Sequence, residues 1–248
     1  MKFLFCFVLV LSSPIVLAQS EGTLSTDRPG EGTDAATVVG VNRLQIEAGF
    51  LREWERQEDD HFVLYPTALL RYGLVERVEI RIASGFFTDQ DTPGTRWLPI
   101  DISTKVALVE EQRGWIPQAA LLVGLTLPQT GSSSAQSSFT QPRIVVLLNH
   151  SLNSWLGITT NLGAHWEDDS PETIYRYAVS FDVSLSDRVG AFAEFYGNLP
   201  EASRDSHLFN SGFTYLITND LQLDLAAGTA LTAGVPDFYV GGGVSVRW

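Results

Sequence analysis

Cysteine, lysine and charge in general are scarce in this sequence. Its 248 residues hold a single cysteine, Cys6, which excludes a disulfide scaffold and any cysteine-based zinc site. Charged residues make up 18% and hydrophobic residues 44%, so the chain is too apolar to be disordered. Basic groups are outnumbered, 16 Lys and Arg against 29 Asp and Glu, for a formal net charge of −13. Only two of those bases, Lys2 and Lys105, are lysines. A nucleic-acid partner needs clustered Lys and Arg on one face, and that class is excluded. Beyond residue 18 no stretch nears the roughly 18 uninterrupted apolar residues of a membrane-spanning helix. Long helical periodicity is also missing.

The first eighteen residues read as an address. Lys2 precedes an apolar stretch from Phe3 to Leu17, and Val16-Leu17-Ala18 suits a small-residue cleavage site. This is the pattern of a secretory signal peptide, residues 1–18, with Gln19 as the expected new N-terminus. Cleavage would remove Cys6 and Lys2, leave a net charge of −14, and make Lys105 the only side-chain amine.

What the rest of the chain does have is alternation. Leu44, Ile46, Ala48 and Phe50 alternate with Gln45, Glu47 and Gly49, and Leu221, Leu223 and Leu225 alternate with Gln222 and Asp224. Twelve such runs fall near 43–54, 62–72, 77–87, 98–109, 116–127, 142–152, 156–166, 174–185, 189–197, 207–217, 221–231 and 238–248. Strands of about 9–11 residues are what a tilted strand needs to cross a bilayer, whereas soluble strands are nearer about 5–6. The connections alternate between long and short, as periplasmic turns and outer loops do in transmembrane barrels. All six tryptophans, Trp54, Trp97, Trp115, Trp155, Trp166 and Trp248, fall at or beyond strand ends, where membrane interfaces favour an apolar ring with a polar N–H. The expected fold is all-β: a 12-stranded antiparallel up-and-down transmembrane barrel over residues 43–248, located in a bacterial outer membrane. Its partners would be outer-membrane lipid and lipopolysaccharide, and the barrel assembly machinery, for which Trp248 would be the terminal signal.

With one face on lipid, the other lines the lumen. Lumen and transport candidates are Glu47, Arg71, Glu79, Arg81, Asp101, Lys105, Arg143, Asp182, Glu194, Asp224 and Arg247. They read either as an ion-pair network that stiffens a narrow barrel or as a charged path that sorts solutes. Twelve strands about 4.8 Å apart, tilted about 40°, close to a backbone diameter of roughly 24 Å, a bore for small solutes only. Residues 19–42, polar and rich in Gly and Thr, form either a periplasmic tail or a lumen-entering segment. In the second case Arg28 is expected to pair with a wall carboxylate such as Glu47 or Glu194. The outer loops carry much of the excess acid, which reads as solvation, with a divalent-cation bridge to lipopolysaccharide as the sharper alternative.

Catalysis is not expected. His150 and Ser151 are strand neighbours that point to opposite faces, and neither a Gly-x-Ser-x-Gly nor a His-Glu-x-x-His motif is present. No catalytic residue, metal or cofactor is assigned. The function expected is passage of small solutes, hydrophobic or aromatic ones included, by diffusion through a narrow charged lumen. The alternatives are a structural or adhesion barrel without an open pore and a soluble lipocalin-like barrel.

Several segments also carry a likeness. They are Thr26-Asp27-Arg28-Pro29-Gly30, Leu44-Gln45-Ile46-Glu47-Ala48-Gly49, Glu76-Arg77-Val78-Glu79-Ile80-Arg81, Asp101-Ile102-Ser103-Thr104-Lys105, Ala191-Phe192-Ala193-Glu194-Phe195-Tyr196 and Pro236-Asp237-Phe238-Tyr239-Val240-Gly241. In this order they resemble the outer-membrane barrel family of transporters of the meta-pathway of phenol degradation. The resemblance spans nearly the whole chain after residue 18, and it implies an outer-membrane barrel more firmly than it implies phenol. Glu31-Gly32 departs from the family's pattern.

Overall fold

The computed structural model describes residues 22–55, 60–89, 94–110, 115–167, 172–233 and 235–248. The expected signal peptide lies outside these residues, as do the tips of several acidic loops. The strands are β1 (Leu44–Glu55), β2 (Asp60–Val75), β3 (Val78–Thr88), β4 (Arg96–Trp97), β5 (Asp101–Val109), β6 (Gln118–Thr126), β7 (Gln141–Ser151), β8 (Leu156–His165), β9 (Ile174–Ser184), β10 (Val189–Pro200), β11 (Ser206–Thr218), β12 (Leu221–Ala230) and β13 (Phe238–Arg247).

Apart from the two-residue β4, each strand pairs antiparallel with its neighbours in the sequence, and β1 pairs with β13. The result is a closed ring of twelve strands. Closure removes every sheet edge, so no ladder group is left to face hydrocarbon. The seam is closed by the last residue: the Trp248 N–H donates to the Leu44 carbonyl at 2.9 Å, and the Leu44 N–H returns to Trp248 at 3.2 Å.

Burial follows the alternation. On β12 the outward Leu223 and Leu225 are exposed, while Gln222, Asp224 and Ala226 face in and are buried. The expected outer face is therefore a band of Leu, Val, Ile and Phe exposed around the barrel. Trp115, Trp155 and Trp248 lie at the end where the short turns and the C-terminus sit, and Trp54, Trp97 and Trp166 lie at the long-loop end.

Two local departures have a physical cause. The expected run 98–109 begins only at Asp101, because Pro99 has no N–H to give a ladder. Instead Trp97 pairs with Phe86, and its indole N–H donates to the Thr130 carbonyl at 2.9 Å, so the loop after β6 completes the wall there. Strand β2 runs longer than expected, with its register shifting between Leu64 and Thr67 and again between Gly73 and Val75.

Candidate functional site

The lumen is occupied by the chain's own N-terminal segment. Residues 22–42 form no regular strand, so their backbone N–H groups need other partners inside the barrel. Wall carboxylates supply them. Glu47 on β1 accepts from the N–H groups of Asp27 and Arg28, both at 3.0 Å. Glu79 on β3 accepts from Val39 at 2.7 Å. Glu194 on β10 accepts the N–H groups of Glu31, Gly32 and Thr33 at 3.1, 3.2 and 2.7 Å, as well as the Thr33 hydroxyl at 2.6 Å. The segment starts beside the β11–β12 turn, where the Leu24 N–H donates to Asn219. It crosses to Glu194 at mid-barrel and returns to the β2–β3 turn, where Val41 bridges Gly73. A Cβ at Gly73 would lie 1.9 Å from the Gly40 carbonyl oxygen, so only glycine allows that approach.

Arg71 on β2 is the hub. It is fully buried, and its guanidinium forks onto Glu79 at 3.0 and 3.0 Å and reaches Glu47 at 2.8 Å. Its remaining hydrogen bonds go to the carbonyls of Ser25 at 3.2 Å and Thr37 at 3.0 Å, one on each limb of the inner segment. A planar fork of five donors suits this site as an ammonium would not. Beside it, Asp27 meets Arg81 at 2.9 Å, Lys105 at 3.2 Å and Arg71 at 3.5 Å. Burial pushes the Asp27 carboxyl up, but Arg71, Lys105 and Arg81 together hold it well below the usual carboxylate range. Lys105, the expected lone amine, also donates to the Ala35 carbonyl at 2.6 Å.

Arg28 does pair with a wall carboxylate, though with neither of the two named as examples. Its side chain pairs with Asp224 on β12, at 3.0 Å, and not with Glu47 or Glu194, which are occupied by backbone N–H groups. The cause is room. Gly49 and Gly243 face each other across β1 and β13, and a Cβ on either would lie within 2.4 to 2.5 Å of the Arg28 guanidinium. The guanidinium lies flat on that glycine floor and reaches Asp224, the cross-strand partner of Gly243.

The other expected lumen residues also face inward. Arg143 pairs with Asp101 and lies over Gly124. Arg247 pairs with Asp220 at 2.7 Å near the short-turn end and donates to the Gly22 carbonyl at 2.8 Å. Asp182 differs from the rest. It accepts from the hydroxyls of Thr159 and Ser180, both at 2.7 Å, and has no basic partner among the described residues.

Charge-based reading missed the uncharged lining. Gln45, Asn161, Asn210 and Ser245 are all buried on the inner face, and Tyr196 and Tyr239 join hydroxyls at 2.9 Å. It also missed an apolar inner patch, Ala120, Leu122, Val145 and Leu147, packed on Ala36 of the inner segment. The signal was present: Ala119–Leu122 and Ile144–Leu148 are continuous apolar runs without alternation, which marks strands apolar on both faces.

Space remains on the opposite side. Three cavities of about 300, 260 and 420 Å³ run along β7 to β11 toward the short-turn end. The first lies between the inner segment and Thr159, Ser180, Asp182 and Phe192, and Asp182 borders the second as well.

A closed twelve-stranded antiparallel barrel, apolar outside and charged within, defines the class of outer-membrane barrels. The family model described as "Putative MetA-pathway of phenol degradation" matches residues 26–248, and the chain belongs to that family. Among solved structures, an outer membrane channel from Pseudomonas putida F1 matches with a TM-score of 0.65 at 11% identity, covering 89% of this chain and 99% of that one. The KdgM porin matches with a TM-score of 0.57 at 10% identity, covering 82% and 98%. The NanC porin gives 0.57 at 11% identity, over the same shares. At these identities the likeness is one of fold. No curated protein matches the chain.

Proposed function

We propose that the protein is an outer-membrane channel through which small solutes diffuse, its bore narrowed by its own N-terminal segment. The observation that carries this reading is the unfilled space between that segment and β7–β11, about 300 Å³ in its first part. That volume is at the lower end of small-molecule sites. The lining combines the Phe192 ring with backbone of Val183 and Ala191 and with the hydroxyls of Thr159, Ser180 and Thr214. A small aromatic or otherwise amphipathic solute suits such a wall, in keeping with a family named for phenol degradation. Most of the inner charges hold the segment in place, and few remain to sort solutes. Delivery by a cleaved signal peptide, and recognition of Trp248 by the assembly machinery, belong to the same reading.

Planar-bilayer recordings of the full barrel and of a form lacking residues 22–40 test it. The full barrel should give small, steady currents, and the deletion should raise conductance several-fold. A barrel sealed in both forms overturns the channel reading in favour of a structural or adhesion role.

A further inference from the structure

Nearly every charge inside this barrel has a partner of opposite sign or a set of backbone donors. Arg71, Arg81 and Lys105 share Asp27, Glu47 and Glu79; Arg28 takes Asp224; Arg143 takes Asp101. The Glu194 carboxylate is filled by the inner segment and by the Asn210 amide at 3.0 Å. On the side where space remains, Arg176 of β9 donates to the Gly32 carbonyl at 3.3 Å, and Asp182 is the acid without a basic partner among the described residues. A carboxylate has about four lone-pair sites, and the hydroxyls of Thr159 and Ser180 take one on each oxygen. The other lone pairs are left for a ligand in the two cavities that Asp182 borders.

The surroundings hold that carboxylate in place. Thr159 and Ser180 are almost fully buried, and Asn149 donates to the Thr159 hydroxyl at 2.7 Å while accepting from the Ala36 N–H at 2.5 Å. Asp182 is thus the end of a polar ladder that starts on the inner segment. Phe192 is its cross-strand partner on β10 and lines the same cavity, its ring reaching over Gly212 on β11. A carboxylate without a base, bordering a cavity in a narrow bore, favours small cations by charge.

We propose that Asp182, with Thr159, Ser180 and Phe192, forms a binding subsite for small monovalent cations, primary ammonium groups included, and makes the remaining passage cation-selective. The inference rests on the channel reading for its transport consequence, but the subsite exists as a binding site without it.

Two measurements on the full-length barrel separate the claims. In planar bilayers under a potassium chloride gradient, the wild type should prefer potassium over chloride, and Asp182→Asn should lower that preference about tenfold. A unit charge about 6 Å from a permeating ion in a water-like medium favours the cation about threefold and disfavours the anion about threefold, and the ratio moves by the product. Thr159→Val, which removes a hydroxyl but keeps the charge, should retain the preference. In detergent micelles, methylammonium chloride should give saturable amide shifts at Thr159, Ser180 and Asp182 that Asp182→Asn abolishes. Currents whose ion preference ignores Asp182→Asn, together with absent methylammonium shifts, overturn the subsite and leave the channel standing. A sealed bilayer with saturable shifts overturns the channel and leaves the subsite. If Asp182 serves only to hold the ladder, Asp182→Asn and Thr159→Val should destabilise the barrel alike with ion preference unchanged, which also overturns the proposal.

Discussion

Replacing Arg71 with methionine tests the physical account of the lumen most directly. The guanidinium donates to Glu47 at 2.8 Å and twice to Glu79 at 3.0 Å, all three groups having no exposed side-chain surface. After Arg71→Met, Glu47 keeps Gln45 and two backbone N–H groups, and Glu79 keeps Val39 with Lys105 at 3.7 Å and Arg81 at 3.9 Å. Glu47 would then be buried without a cation beside it, and Glu79 with two cations beyond hydrogen-bond reach. Breaking a buried pair on one side costs about 3–5 kcal/mol, because the charge left behind is uncompensated. Arg71→Lys keeps the charge but loses the fork, so its cost should be smaller, about 1–2 kcal/mol. The triple change Glu47→Gln, Arg71→Met, Glu79→Gln removes the stranded charges and should recover much of the loss. Urea unfolding of the refolded barrel in lipid, followed by tryptophan fluorescence, gives all three values. A loss under about 1 kcal/mol for Arg71→Met, well short of the cost of a stranded buried charge, would refute the reasoning. So would a triple variant no more stable than the single one.

Four further outcomes follow from the same geometry. Gly49→Leu should expel the Arg28 guanidinium from Asp224, since its Cβ alone would lie 2.4 Å from the guanidinium carbon; raised single-channel conductance and faster proteolysis near Arg28 would show it. Asp27 should keep the segment in place through mild acid: a carboxyl depressed on folding stabilises above its unfolded value of about 3.9 and loses that contribution only as pH falls through the folded one. Because three cations hold the Asp27 value well below the usual range, conductance should not rise between about pH 7 and pH 4 on its account. Leu225→Arg, on the exposed outer face of β12, should cost about 2–4 kcal/mol in lipid near the midplane, as read from urea unfolding. Exchanging the two charges, Asp27→Arg with Arg28→Asp, leaves composition and net charge unchanged yet should unseat the segment, detected as a several-fold rise in conductance.

The strands were legible because each of them meets two different solvents. Lipid on one side and a polar lumen on the other impose a period of two along the chain, and β12 shows it residue by residue. Where the lumen side is apolar too, at Leu122 and Leu147, the period vanishes and the strands show only as unbroken apolar runs. The inner face of the candidate site was legible as charge, but its pairings were not. Whether Arg28 meets Asp224 or Glu47 depends on which glycines stand together across the β1–β13 seam, a matter of register between residues about two hundred positions apart. Register between distant strands is set by closure of the whole ring, and local pattern carries no trace of it. The uncharged lining, Gln45 and Asn161 among it, escaped for a simpler reason: amides on an inward face look like any polar residue in an alternating strand.

The arrangement inside the barrel has a direction. Arg71, Arg81 and Lys105 on β2, β3 and β5 outnumber the Glu47 and Glu79 carboxylates beside them, while β12 carries Asp224, so the empty wall would separate charge around the bore. Asp27 and Arg28 are adjacent in sequence and turn to different strands of the wall, the acid toward Arg71, Arg81 and Lys105 and the base toward Asp224. One dipeptide thus answers both signs, which a segment of the same net charge in another order would not do. The remaining charges of the segment tilt the sum. It brings Asp34 to Arg81 at 3.0 Å and leaves Glu31 exposed, while Asp182 stands without a base among the described residues. The segment that closes most of the lumen therefore also shapes the charge that is left: its one cation, Arg28, is bound to Asp224, Arg176 of the wall rests on the Gly32 carbonyl, and the acid that lines the first cavity without a base among the described residues is Asp182.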